Sequence, residues 1–170
     1  MKNLISFFFC FALVHFLPNF ARAQESSLIN SYEDWYVFIT QQDSASVCFL
    51  SSKATKSEGN YSKRGDVLFI VTHRPEKKEF GVINFQTGYT FKVDLDPVIT
   101  IGNNNFSLFA HGSDGWARDS QTDIAIVKAM ISGSQMFISG TSSRGTKTTD
   151  TFSLKGFTAA YKAASKACKI

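Results

Sequence analysis

Histidine is almost missing from this 170-residue chain, with three copies, and cysteine, proline and methionine are equally scarce at three each. His15 falls within an N-terminal apolar run, so His73 and His111 are the only imidazoles left to act as bases near neutral pH. The signatures that recruit a nucleophile or a phosphate are missing too. Gly140-Thr141-Ser142-Ser143-Arg144-Gly145 misses the spacing of a G-x-S-x-G elbow, and neither G-x-G-x-x-G nor G-x-x-x-x-G-K-[ST] occurs. Hydrolase and nucleotide-binding readings lose their usual support, and the expectation is a protein that is not an enzyme and takes no cofactor. A zinc site needs three or four His, Cys or carboxylate ligands, which this supply does not provide, so no metal site is expected.

Concentrated charge is also lacking. The chain carries 18 Lys and Arg against 14 Asp and Glu, and loss of Lys2 and Arg22 with the N-terminal segment would leave 16 against 14. Apart from Lys77-Lys78 and the 144–169 stretch the basic residues are scattered, which argues against a nucleic-acid partner.

What is present begins with one long apolar run. Lys2, the stretch Leu4 to Leu17, and Ala21-Arg22-Ala23 supply the charged, apolar and small-residue regions of a secretory signal peptide over residues 1–23. Pro18 and Asn19 interrupt the run before it reaches the ~20 residues of a membrane-spanning helix, so no transmembrane segment is expected after cleavage, and Cys10 leaves with the peptide. Residues 24–170 then form a single exported domain, periplasmic or secreted. Cys48 and Cys168 are the thiols that remain, and in an oxidising compartment their natural fate is a disulfide; two free thiols are the alternative.

Within the domain, residues 24–31 are polar and short. Asp34 to Thr40 and Ser46 to Ser51 read as a hairpin, and Ser52 to Arg64 as a solvated, mobile loop. Asp66 to His73 reads as a core strand buried on both faces, followed by a meander through Phe80–Phe85 and Tyr89–Val93. Pro97–Ile101 and Phe106–Ala110 flank a Gly/Asn turn, and Trp116 is expected to plug the core nearby. Asp119 or Ser120 can cap a helix with Ile124, Val127, Met130 and Ile131 on its apolar face, closed by Gly133. Strand chemistry returns at Gln135–Gly140 and Asp150–Leu154, and an Ala-rich helix ends the chain. The fold class is mainly β, a β-sandwich-like or barrel-like domain with two short helices at about 120–132 and 157–168.

Three groups of residues are candidates for chemistry. His73 and His111 read as ordinary strand-end or loop positions. Asp94 and Asp96 flank Leu95 and would share a strand face, but Pro97 marks a turn in which Asp bonds locally. The Thr141–Asp150 hairpin offers Arg144, Lys147 and Thr148 as contacts for an anion or a partner; a plain solvated hairpin turning at Gly145 is the simpler account.

The run from Gly140 through Arg144, Lys147 and Asp150 to Phe157, followed by an Ala-rich helix ending at Cys168, resembles the C-terminal signature of the invasion-associated locus B family of alphaproteobacteria. Asp34-Trp35, Val47-Cys48, Leu68 to Pro75 and Gly115-Trp116 fit the same pattern, and the likeness covers about residues 31–169. It implies a bacterial exported protein of mainly β fold, named for an association with host-cell invasion, and it transfers no catalytic residues. The expected function is a periplasmic or envelope-associated non-enzymatic interaction protein with an unknown protein or envelope partner, which contributes to invasion if the family name applies. The alternative is a small-ligand or anion-binding protein, or an unrecognised enzyme, using the hairpin 141–150.

Overall fold

The computed structural model describes residues 25–170; the signal peptide read over residues 1–23 lies outside them. Two antiparallel sheets stack face to face without closing into a barrel, so of the two expected forms the sandwich-like one is present. The larger sheet is built from β1 (Ser27–Tyr32), β2 (Trp35–Gln42), β3 (Ala45–Lys53), β5 (Leu68–Arg74), β6 (Glu79–Gln86), β9 (Phe109–His111) and β10 (Asp114–Trp116), in the order β1-β2-β3-β5-β6-β10-β9. The smaller sheet runs β4 (Lys56–Gly59), β12 (Lys147–Ser153), β11 (Gln135–Thr141), β7 (Val98–Ile101) and β8 (Asn104–Ser107). Helix α1 (Ser120–Ser132) and helix α2 (Phe157–Ala167) complete the fold, with α2 packing on β2 and β3 and α1 on β6.

Local chemistry explains most of these elements. β2 and β3 carry aromatic and β-branched runs, Trp35 to Ile39 and Val47 to Leu50, on either side of Asp43-Ser44, where positive φ at both positions (51° and 67°) makes the tight hairpin turn. Asp119 caps α1 by accepting a 2.8 Å hydrogen bond from the Thr122 amide. The sheets meet through aromatics: Phe152 of β12 lies edge-on to Phe69 at 5.8 Å and Phe85 at 6.2 Å, and Trp35 packs on Phe157 of α2 at 4.9 Å. The Trp35 indole also donates to the Ser153 carbonyl at 3.0 Å, which satisfies its buried N–H and ties β2 to β12.

Several expectations are corrected. Residues 27–32 pair with β2 as an edge strand, because main-chain pairing needs no apolar pattern. The expected loop Ser52–Arg64 contains the end of β3 and all of β4, which pairs with β12 from Thr148 to Thr151. Strand β5 is fully buried only on the face of Phe69, Val71 and His73; Leu68 and Ile70 are half-buried, since the larger sheet is covered on one side. Residues 89–93 form no strand and make a single bridge from Phe91 to Ser142, because the chain leaves the larger sheet after β6 and crosses to the smaller one. Trp116 is only half-buried, and Trp35 fills the core instead. On α1, Ile124 and Ile131 are exposed, while Asp123 is buried and accepts a 2.8 Å bond from the Ile83 amide, which rotates the inward face toward Ile126, Val127 and Met130.

Candidate functional site

Strand register places two different constructions at opposite ends of the larger sheet. At one end β3 and β5 pair Cys48 with His73, and at the other they pair Lys53 with Leu68. The first end is covalently stapled. Cys48 and Cys168 are joined across 120 residues with Cα atoms 5.8 Å apart, within the ordinary disulfide range, so the C-terminus of α2 is tied to β3. His73 lies fully buried beside the staple. Its Nδ1 accepts a 3.1 Å hydrogen bond from the Gly81 amide, its ring meets Tyr161 at 5.0 Å, and its Nε2 has no partner among the described residues. Burial lowers its pKa from 6.5 to about 4, so the ring is neutral at physiological pH. The histidine therefore stands at a strand end, as read from sequence, but inside the core.

The opposite end carries a cleft of about 580 Å³ between the 60–65 segment, the 88–90 segment and the 142–146 turn. Its floor is a buried ion pair. The Arg64 guanidinium spans both carboxylate oxygens of Asp150 at 2.7 Å each while its Nε donates to the Thr87 carbonyl at 2.6 Å. The two side chains are 4% and 1% exposed. Burial disfavours the Arg64 charge, but the hydrogen bond and charge of Asp150 more than offset this and hold its pKa above the ordinary value. The guanidinium also lies 4.8 Å from the Tyr89 ring centre and 5.5 Å from that of Tyr61. Tyr89 in turn shares a 2.7 Å hydroxyl bond with Thr148; burial raises its pKa, with the Thr148 bond and the Arg64 charge pulling the other way.

Main-chain bonds make the frame rigid. Gly65 donates to the Gly88 carbonyl at 3.1 Å, Ser143 to the Thr90 carbonyl at 2.8 Å, and Lys92 to the Thr141 carbonyl at 2.9 Å. Gly88 permits this crossing: its φ is +71°, and a Cβ there would stand 2.5 Å from the Gly65 oxygen.

Of the candidates read from the hairpin, Arg144 and Thr148 line this cleft and Lys147 does not. Thr148 is buried and spent on Tyr89, whereas Arg144 is exposed at the rim. Asp94, Asp96 and His111 line a separate depression. Asp94 sits in a turn with φ +62°, as its neighbourhood predicts, and Asp96 accepts a hydrogen bond from Arg118. Among the described residues, no three His, Cys, Asp or Glu side chains gather to hold a metal, and no helix is long and apolar enough to cross a membrane.

Sequence reasoning missed Arg64, Asp150, Tyr61 and Tyr89. One signal was available for Asp150, which alternates with Thr148 and Phe152 and so shares their inward face on β12. Nothing local marks Arg64, whose partner lies 86 residues away.

These features define a class: a disulfide-stapled antiparallel β-sandwich with a helical flank at one end and a polar cleft at the other. The family model of the Invasion associated locus B (IalB) protein matches residues 35–165, and the chain belongs to that family. No curated protein and no solved structure matches it.

Proposed function

We propose that this chain is an exported, non-enzymatic interaction protein of the bacterial envelope, with the cleft around Arg64, Tyr89 and Arg144 as its contact site. One observation carries the reading. The cleft is preorganised by an ion pair and main-chain bonds, yet its lining holds no histidine and no carboxylate: Asp150 beneath it is consumed by Arg64, and His73 lies at the other end of the sheet. A rigid polar concavity without an acid–base pair suits recognition better than turnover. Export is supported by the signal-peptide pattern of residues 1–23 and by the disulfide, which belongs to oxidising compartments. Family membership extends the proposal to a contribution to host-cell invasion.

The test combines fractionation with cross-linking in the cell. The protein should be recovered in the periplasmic or secreted fraction without residues 1–23, and a photoreactive residue at Ser143 should capture a component that one at Asp43, at the stapled end, does not. Recovery in the cytoplasm with an intact N-terminus would overturn export, and identical capture from both positions would overturn the site. An adherence assay with a deletion strain tests the invasion role.

A further inference from the structure

We infer that the cleft binds an acidic saccharide, a sugar ring bearing a carboxylate or phosphate; this rests on the cleft being the contact site and names its ligand class. Charge is the first constraint. The lining contains Lys63, Arg64 and Arg144 and no carboxylate side chain. Arg64 is paired with Asp150 and bonded to the Thr87 carbonyl, so its charge is cancelled and three of its five N–H donors are committed. Lys63 and Arg144 remain, exposed on different walls, and neither has an acidic partner within 4 Å among the described residues. A ligand that fills the space between them meets two unpaired cations and requires negative charge.

Size and surface chemistry supply the rest. At about 580 Å³ the cleft falls within the range of small-molecule sites and leaves most of its space empty around a single inorganic anion. No aliphatic side chain lines it, so an acyl chain or an apolar peptide anchor would find nothing to bury against. Its neutral surface is instead made of hydroxyls and an amide, from Ser62, Thr90, Ser143 and Asn60, beside the Tyr61 ring. Short donors and acceptors with an aromatic edge match the alternating hydroxyls and C–H faces of a sugar. The Gly65–Gly88 and Thr90–Ser143 main-chain bonds already hold the walls in place, which lowers the ordering cost of binding a small, weakly held ligand.

The purified mature protein would be titrated with glucuronic acid and with glucose 6-phosphate, against glucose and inorganic phosphate as controls, following the amide resonances of Gly65, Gly88 and Gly145. The expected result is saturable shifts at these amides with at least one of the acidic sugars, and binding at least tenfold weaker for glucose and for phosphate. Response to one acid and not the other identifies the anionic group. Lys63→Gln with Arg144→Gln should weaken the acidic sugar tenfold or more while leaving the unfolding midpoint unchanged, since both side chains are exposed. Equal binding of phosphate alone would reduce the cleft to a simple anion site and overturn the inference, as would equal binding of glucose, no saturable shift, tighter binding of a Glu-rich peptide, or indifference to the double substitution. If the sugars fail while Ser143 still captures an envelope component, the saccharide assignment falls and the contact site stands.

Discussion

The two ends of the larger sheet hold their neighbours by opposite means: helix α2 at one end, strand β12 of the smaller sheet at the other. The stapled end uses a covalent bond and apolar contact, with Cys48, Cys168, Tyr161 and a neutral His73 sealed together. The cleft end uses charge and hydrogen bonds, with Arg64 clamped by Asp150 and flanked by Tyr61 and Tyr89. The apolar joint turns its own groups inward, whereas the polar joint orients its donors and leaves neighbours such as Arg144 facing solvent. The proposed contact site lies at the end where the sandwich is closed by polar groups.

The largest break is chemical reduction of the staple. Cys48→Ser with Cys168→Ser should lower the unfolding free energy by about 5 kcal/mol in the chain-entropy account of a closure this long. Urea unfolding under reducing and oxidising conditions measures it, and a loss under about 1 kcal/mol would mean that packing alone holds α2. Next comes the charged joint. Asp150→Ala strands Arg64 without its counter-charge and should cost about 4 kcal/mol, whereas Arg64→Met with Asp150→Leu should restore much of that stability while removing the cleft floor. If the double variant is as unstable as the single one, packing rather than an unpaired charge explains the loss.

Acid should act selectively on the stapled end. The His73 pKa is lowered to about 4 in the folded state, so between pH 6.5 and pH 4 the unfolded chain binds the extra proton and the folded chain does not. Stability is then lost as pH falls through this window, on the order of 3 kcal/mol from this group, and is unaffected by it above pH 6.5. Geometry gives the same sign: a proton on Nδ1 would set an N–H against the Gly81 amide that now donates to it. Melting temperatures from pH 7 to pH 4 should show a steeper decline for the native protein than for His73→Gln, and parallel curves would defeat the account. The smallest effect belongs to Tyr89→Phe, which leaves the Thr148 hydroxyl unpaired and should cost about 1 kcal/mol by thermal denaturation.

Much of the fold was legible because its signals are local. The β2–β3 hairpin, the β7–β8 hairpin, both helices and the strands flanking 142–146 carry their own periodicity and turn residues. The cleft was legible only in part. Arg144 and Thr148 stood out within a polar hairpin, but the segment holding Tyr61 and Arg64 resembled solvated loop, since its order comes from β4 pairing with β12 and from a distant carboxylate. The exposed Ile124 and Ile131 show the same limit on α1: helical spacing defines rows of residues, and the neighbouring β6 amide that receives Asp123 selects which row turns inward.

By itself the sequence determined the mainly β class, the family resemblance and the two helices, because periodicity and capping act over a few residues, and it favoured a Cys48–Cys168 bridge over two free thiols. Tertiary structure alone decided that Trp35 rather than Trp116 fills the core, that His73 is sealed beside the disulfide, and that Arg64 meets Asp150 beneath a cleft. Those outcomes depend on which strands become neighbours across the sandwich. Burial and charge pairing are properties of that neighbourhood, and no stretch of sequence carries them alone.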